Sequence, residues 1–289
     1  MKKCFALVSL ILGLCVATTA QVKKSPAPKR QGFDISSLPC GLYGDVESII
    51  IKKNSVEDRF GKVIKVGDPI VEVLKFNQQG DVSEWSFYMS DGSLNTKLIF
   101  EYDLEGNLRK SVMYDSEGLI WSLWNYKYDS SGNLSEESNY RYGETLRNKI
   151  AYKYDSWGNR IETLYYGSDG LPTSKTIYKY DSVGNIIEEV SYFSDGSRGG
   201  RTIYEYDSVG NMIESANYLP DDSLNASWTY TYNSAGNMIE ESRYGANGSL
   251  SYKDVYKYDS MGNCVEKLDY SSEIMIPKQL TEIEIIYSK

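Results

Sequence analysis

Apolar and polar residues alternate in short runs between residues 76 and 270, and Gly and Asp interrupt every run. Tyr178 and Tyr180 are two residues apart, which puts both side chains on one face of a strand. Residues 186–192 then form a return strand. No segment keeps the 3.6-residue period of a helix for long. The pattern therefore predicts β-hairpins with strands of about eight residues.

The hairpin pattern repeats every 26 residues without an insertion or deletion. A register aromatic opens each of eight units: Phe76, Tyr102, Tyr128, Tyr154, Tyr180, Tyr206, Tyr232 and Tyr258. Gly follows each aromatic by four residues, and Asn follows that Gly in every unit except the first, which has Asp81. A further Tyr column runs from Tyr88 to Tyr270. Such self-similarity predicts a repeat architecture.

Two turns connect the strands of each unit. Asp181-Ser-Val-Gly184 matches a type I turn, with Asp first and Gly fourth. A left-handed Gly there makes the bulge of a three-residue hairpin loop. The second turn, near Gly196, is less strictly specified, because Glu144 and Asp222 replace its Gly in two units.

A glutamate column distinguishes two possible arrangements of the units. It comprises Glu136, Glu162, Glu188, Glu214, Glu240 and Glu266. In a parallel solenoid these like charges would stack about 4.8 Å apart, whereas an intervening strand in an antiparallel strip doubles the spacing to roughly 9.6 Å. Lys127, Lys153, Lys179 and Lys257 fall on those intervening strands. We therefore predict an all-β fold of tandem antiparallel β-hairpins forming an elongated twisted or curled sheet, with a parallel β-solenoid as the alternative.

Segments outside the repeats complete the predicted organisation. Residues 1–20 have the charged start, apolar stretch and small-residue end of a signal peptide. Residues 21–44 read as a linker, 45–75 as an N-terminal β cap, 76–270 as the repeat array and 271–289 as a C-terminal capping strand. Caps are expected because an open strip has exposed edges. The mature chain has no membrane-spanning run, and we expect a periplasmic, outer-surface or secreted protein.

Net charge restricts the possible binding partners, and cysteine content restricts the possible disulfides. The formal charge of −9 becomes −11 when a signal peptide containing Lys2 and Lys3 is removed, which disfavours nucleic acid. Cys40 and Cys264 then remain. Export permits a disulfide, but the two lie at opposite ends of the array, so unpaired thiols are the expectation.

The turn motif stands as Tyr126-Lys-Tyr128-Asp129-Ser-Ser-Gly132-Asn133 and its copies. It resembles the YD repeats of the RHS family over about residues 76–270. The resemblance implies β-hairpins in a long spiralling sheet and an envelope or extracellular setting. Large members of that family enclose a toxic domain or serve as adhesion proteins, so a truncated relative of toxin-delivery proteins is one functional alternative.

The sequence identifies no catalytic, cofactor-binding or metal-binding residues. The absence of histidine removes the usual triads and His-based zinc sites. Adjacent carboxylates such as Glu188 and Glu189 point to opposite faces of a strand and read as solvated positions. No cofactor is expected, with calcium at turn carboxylates as the alternative; those carboxylates are Asp169, Asp195, Asp221 and Asp222.

Aromatic residues outside the repeat columns are the candidate binding surface. They are Trp121, Trp124, Trp157, Trp228, Tyr142 and Tyr165. We expect a non-catalytic envelope or secreted repeat protein that acts as an interaction or structural module with a protein or glycan partner. A carbohydrate-binding surface that uses exposed Tyr and Trp is the alternative.

Overall fold

A computed structural model describes residue 42, residues 44–271 and residues 275–288. This part of the chain forms 18 strands: β1 (Val46–Arg59), β2 (Lys62–Phe76), β3 (Val82–Tyr88), β4 (Leu94–Tyr102), β5 (Leu108–Asp115), β6 (Ile120–Tyr128), β7 (Leu134–Arg141), β8 (Thr145–Tyr154), β9 (Arg160–Tyr166), β10 (Pro172–Tyr180), β11 (Ile186–Phe193), β12 (Arg198–Tyr206), β13 (Met212–Tyr218), β14 (Leu224–Tyr232), β15 (Met238–Gly245), β16 (Leu250–Tyr258), β17 (Cys264–Ser271) and β18 (Ile276–Tyr287). The all-β prediction is confirmed. The described residues include no helix of the length and hydropathy needed to cross a bilayer.

The eight units form the consecutive hairpins β2–β3 to β16–β17, and the turn prediction is confirmed. In the turn after β8, Gly158 has φ of 84° and its N–H donates to the Asp155 carbonyl over 3.1 Å. The Asp155 carboxylate accepts the N–H groups of Trp157 and Asn159, each over 2.9 Å. Its other oxygen accepts Nδ2 of Asn159 over 3.0 Å. The Asp-x-x-Gly-Asn motif thus provides hydrogen-bond acceptors for the backbone N–H groups of its own turn.

The sheet closes into a ring, which corrects the predicted open arrangement. Each strand pairs antiparallel with its neighbours in sequence, and β1 also pairs with β18, with Ile49 opposite Ile285 and Ile51 opposite Ile283. The molecule is therefore a closed antiparallel barrel, neither an elongated open sheet nor a parallel solenoid. The segments expected to cap two free edges pair with each other instead, because joining two edges satisfies both rows of backbone groups.

The β1–β2 hairpin is longer than the repeat hairpins. β18 pairs with β1 only as far as Ser55, and β3 pairs with β2 only from Val71. Residues 56–66 consequently pair only within their own hairpin and project from the ring. Phe60, at the tip, is fully exposed with φ of 57°.

The two faces of the sheet differ in composition. The inner face carries the residues two before each register aromatic. Four of these residues are less than 9% exposed: Phe100, Tyr178, Tyr204 and Tyr256. The outer face carries the glutamate column, whose members other than Glu214 pair with Lys on an adjacent strand, as in Lys127–Glu136 (2.7 Å) and Lys153–Glu162 (2.5 Å). These pairs confirm the expectation that lysine side chains offset the column's repulsion.

From the β6–β7 hairpin to the β16–β17 hairpin, two tyrosine hydroxyls join each hairpin to the one before it. The register tyrosine donates to a backbone carbonyl 20 residues earlier, as in Tyr128 to Leu108 (3.0 Å) and Tyr206 to Ile186 (2.8 Å). The tyrosine two residues before it bonds a side chain 15 residues earlier, as Tyr126 does with Ser111 (3.1 Å). The repeated Tyr-x-Tyr motif therefore provides contacts between units as well as packing area.

The apolar core lies on the inner face around the closure. It includes Ile49, Leu74, Trp85, Phe100 and Ile283. Cys264 belongs to this core and is 2% exposed, whereas Cys40 lies outside the described residues, as do the signal peptide and almost all of the linker.

Candidate functional site

Arg160 interrupts an otherwise apolar column on the inner face. The corresponding positions of the other units hold Val82, Leu108, Leu134, Ile186, Met212, Met238 and Cys264. Since seven units fold with an apolar or sulfur-containing side chain at this position, the scaffold does not require a charge there. Burying a charged group is also costly unless it finds partners. Arg160 therefore marks the part of the inner wall that departs from the repeat.

The Arg160 side chain is held by aromatic rings. Its guanidinium carbon lies 4.7 Å from the ring centroid of Tyr178 and 5.5 Å from that of Tyr152. Both distances are typical of cation–π contacts. No carboxylate oxygen of the described residues lies within 4.0 Å of the guanidinium, and the buried Nε has no hydrogen-bond acceptor among them. The guanidinium is thus positioned without being neutralised by a salt bridge.

Two glutamates flank Arg160 on the inner face. Glu137 accepts a 2.6 Å hydrogen bond from the Tyr152 hydroxyl, and Glu189 accepts one from Tyr204. Burial raises the pKa of Glu137, and it raises the pKa of Glu189 to about 6. The positive charge of Arg160 acts in the opposite direction on both pKa values. We call Glu137, Arg160, Glu189, Tyr152 and Tyr178 the Arg160 cluster.

A hollow adjoins the Arg160 cluster at Glu189, and apolar as well as polar groups line it. Its volume is about 390 Å³, and its inner-face lining includes Thr176, Ser191, Thr202 and Asn217. Gly200 borders the hollow and lets β12 approach β13 closely, because a Cβ at this position would lie 2.8 Å from the Tyr218 carbonyl oxygen. The hollow therefore presents hydroxyl and amide groups next to a carboxylate, and pockets of this size are typical for small ligands.

A second charged group on the inner face is internally paired. Lys267 Nζ lies 2.8 Å from Asp254 Oδ2 and 2.7 Å from Asp269 Oδ1. Burial raises the pKa of Asp254 to about 7, against the opposing effect of Lys267. Because the lysine is shared between two carboxylates, this group resembles a structural ion pair more than a site with a free charge.

The six aromatic residues predicted as a binding surface do not lie together. Trp124 is 7% exposed in the core, whereas Trp157 is 83% exposed at the tip of a turn. Trp121 and Tyr142 contact each other edge to face, with ring centroids 5.8 Å apart. Trp228 lies on the inner face, where Nε1 donates to the Tyr252 hydroxyl over 3.1 Å.

Tyr165 is the one member of that set beside the Arg160 cluster. It hydrogen-bonds Thr176, which lines the hollow, and burial raises its pKa against the opposing effect of Arg160. The contact ties the edge of the hollow to β9, the strand that begins with Arg160.

The glutamate doublets are divided between the two faces, as strand geometry predicts. Glu188 lies on the outer face and forms an ion pair with Lys179, whereas Glu189 lies in the Arg160 cluster. The expectation that both members are solvated is wrong for the inner one. Comparison within repeat columns identifies these positions: Glu137, Glu189 and Glu241 recur every 52 residues where other units have Trp, Ser, Thr or Lys.

The turn carboxylates considered for calcium bond to their own turns or, in the case of Asp222, to an arginine of a neighbouring strand. Asp195 and Asp221 each accept the hydroxyl of the Ser two residues later over 2.6 Å. Asp222 forms two hydrogen bonds with the Arg198 guanidinium. Within the described ranges, no group of three or more Asp, Glu, His or Cys side chains is arranged to hold a metal ion.

Comparison with known proteins finds similarity among solved structures. A chain of the Tc holotoxin pore of Photorhabdus luminescens matches with a TM-score of 0.36 and 16% identity, covering 81% of this chain and 14% of its own. A chain of the TcdB2–TccC3–Cdc42 complex matches with a TM-score of 0.34 and 13% identity, covering 76% and 15%. A porin-like protein from Bacteroides uniformis matches with a TM-score of 0.44 and 11% identity, covering 83% and 98%.

This chain thus spans about one seventh of the length of the toxin chains that it resembles. No family model matches the sequence, and no curated protein matches it. The similarities assign neither a family nor an activity to this chain.

Proposed function

We propose that this chain is a non-catalytic repeat protein of the cell envelope, or a secreted one, that acts as an interaction module. Its binding surface is the inner wall of the closed sheet at the Arg160 cluster. The proposed export rests on the signal-peptide pattern of residues 1–20 and on the resemblance of the turn motif to YD repeats.

The observation that carries the proposal is the contrast between Arg160 and the rest of its column. The turn aspartates, register tyrosines and outer Glu–Lys pairs all have partners that explain them as scaffold. Arg160 is instead held over two aromatic rings while its buried Nε has no acceptor among the described residues. Arginine presents five donors in a fixed planar arrangement, which suits it to recognition of a ligand.

Carbohydrate binding remains a second candidate, but on a different surface from the one expected. The irregular Trp residues are dispersed between the core, a turn tip and the inner wall. Hydroxyl-bearing side chains gather instead around the hollow beside Glu189. Sugars therefore belong in any ligand panel applied to this protein.

The test compares the wild-type protein with two variants that restore the repeat pattern. Arg160→Ile introduces the side chain of the equivalent Ile186, and Arg109→Ser introduces that of the equivalent Ser135 on the outer face. A thermal-shift panel of amino acids, peptides, sugars, uronic acids and nucleotides should yield a ligand that stabilises the wild type and Arg109→Ser. The same ligand should not stabilise Arg160→Ile.

A hydrolase screen on the same proteins separates binding from catalysis. We expect no turnover. Turnover that is lost in Glu137→Gln or Glu189→Gln would replace the proposed function with an enzymatic one, and a panel without any Arg160-dependent ligand would also contradict it.

A further inference from the structure

We propose that the Arg160 cluster and the adjoining hollow bind a small zwitterion, an amino acid or a short peptide. The ligand carboxylate bonds to the Arg160 guanidinium, and its ammonium group bonds to the Glu189 carboxylate. This inference rests on the proposed function and specifies the chemical class of ligand for the same site.

The first argument concerns the guanidinium. The rings of Tyr152 and Tyr178 restrain it at 5.5 and 4.7 Å, and the hydroxyl of Tyr180 holds the backbone carbonyl of Arg160 over 2.7 Å. Packing against rings leaves the N–H edge of a guanidinium available, and that edge matches a carboxylate in two parallel hydrogen bonds. A preorganised arginine loses less freedom when it binds than a mobile one.

The second argument concerns Glu189, which borders the hollow directly. Its carboxylate accepts one hydrogen bond from Tyr204 and retains further acceptor sites. An ammonium group donates three hydrogen bonds, which Glu189 and the hydroxyls of Thr176 and Ser191 are able to accept.

The third argument concerns net charge. Arg160 is flanked by Glu137 and Glu189, so a guanidinium alternates with two carboxyl groups along the inner wall. A simple anion at Arg160 is repelled by the Glu189 carboxylate, and a simple cation at Glu189 is repelled by the guanidinium. A zwitterion places the correct charge at each position, and electrostatic complementarity of this kind governs specificity.

The dimensions of the hollow restrict the ligand further. About 390 Å³ is available beside Glu189, and Gly200 contributes no side chain to the lining. Thr202 also lines the hollow, and its hydroxyl accepts a 3.3 Å hydrogen bond from Asn217 Nδ2, which leaves the hydroxyl proton to be donated to the peptide carbonyl of a dipeptide.

Isothermal titration with four matched probes tests the inference. The probes are L-alanine, L-alanyl-L-alanine, N-acetyl-L-alanine, which lacks the ammonium group, and L-alaninamide, which lacks the carboxylate. We expect at least one of the first two to bind, and each single-charge probe to bind about tenfold more weakly or worse. Arg160→Ile and Glu189→Gln should each abolish binding of the zwitterion, whereas Arg109→Ser should leave its affinity unchanged.

Other results separate the failure of this inference from failure of the proposed function. Two outcomes would overturn the zwitterion as the ligand class while leaving the inner wall as the binding surface. The first is equal binding of N-acetyl-L-alanine and L-alanine. The second is Arg160-dependent binding of galacturonic acid or maltotriose without binding of any zwitterion. The absence of any bound zwitterion would overturn this inference alone. Binding that survives Arg160→Ile, or the absence of any Arg160-dependent ligand in the whole thermal-shift panel, would overturn both.

Discussion

The hydroxyl of Tyr180 donates a 2.7 Å hydrogen bond to the backbone carbonyl of Arg160, twenty residues earlier in the chain. The same bond joins Tyr206 to Ile186 over 2.8 Å in the next unit. A contact that the repeat uses throughout the ring thus also supports the residue that departs most from the repeat. Scaffold and candidate site are therefore coupled through one side chain.

Removing the Tyr180 hydroxyl tests this coupling. Tyr180→Phe leaves the Arg160 carbonyl without its partner and should lower the free energy of unfolding by about 1 kcal/mol, measured by denaturant unfolding. Tyr206→Phe removes the equivalent bond from Ile186 and should cost a similar amount. Only Tyr180→Phe should weaken binding at the Arg160 cluster, and equal effects of the two variants on binding would show that the carbonyl does not position Arg160.

The turn aspartates stabilise the hairpins through hydrogen bonds that do not need a negative charge. Asp155 accepts two backbone N–H groups, and Asn233 does the same in a later unit, with 3.0 Å bonds from Ala235 and Asn237. Asp155→Ala should therefore lower the free energy of unfolding, measured by urea unfolding. Asp155→Asn should cost clearly less, and a loss equal to that of Ala would mean that the charge is what matters.

The local structure followed from the sequence because its causes are local. Asp-x-x-Gly-Asn contains the acceptor, the left-handed residue and the bulge of its own turn, and Gly158 and Asp155 take those roles in the structure. Closure depends instead on the twist and coil that accumulate over all the strands. The sequence of a single unit does not reveal this accumulated twist and coil. The alternating apolar residues around Ile49 and Ile283 are therefore predicted to cap two separate edges, although their strands pair with each other.

The candidate site was missed for a different reason. The predicted binding surface rests on residue type, that is, on aromatic residues outside the repeat columns, and of these only Tyr165 lies beside Arg160. The stronger signal was a change of chemical class within a column, as at Arg160 among aliphatic residues. Such a change is significant only once the column is known to face inward, which is a property of the closed sheet.

The two glutamates at 188 and 189 should respond to pH in opposite directions. Burial raises the pKa of Glu189 from 4.5 to about 6, so the folded state holds this proton more tightly than the unfolded chain. Its contribution to stability is present below about pH 4.5 and is lost as the pH rises through 6. Glu189→Gln should therefore gain stability over the wild type between pH 5 and 7, by at most about 2 kcal/mol.

Glu188→Gln is the matched control on the outer face. The hydrogen bond from Lys179 is the main cause that lowers the pKa of Glu188, so its contribution is present above the unfolded pKa and is lost as the pH falls through the folded one. This variant should be less stable than the wild type at pH 7 and approach it in acid. Denaturant midpoints across pH 3 to 8 measure both differences, and parallel curves for the two variants would contradict their assignment to opposite faces.

Closure of the ring predicts a crosslink between the two ends of the described chain. Lys52 of β1 lies opposite Glu282 of β18, and both side chains are substantially exposed. Directly opposed strand residues have Cα atoms about 4.5–5.5 Å apart, which is within disulfide range. In a background with Cys40→Ser and Cys264→Ala, the pair Lys52→Cys and Glu282→Cys should oxidise to an intramolecular disulfide in nearly all molecules, whereas Lys52→Cys with Lys179→Cys should not. Mass spectrometry and non-reducing electrophoresis distinguish the products. An open strip would leave both thiols reduced or form only crosslinked dimers, because its terminal strands would meet only between separate molecules.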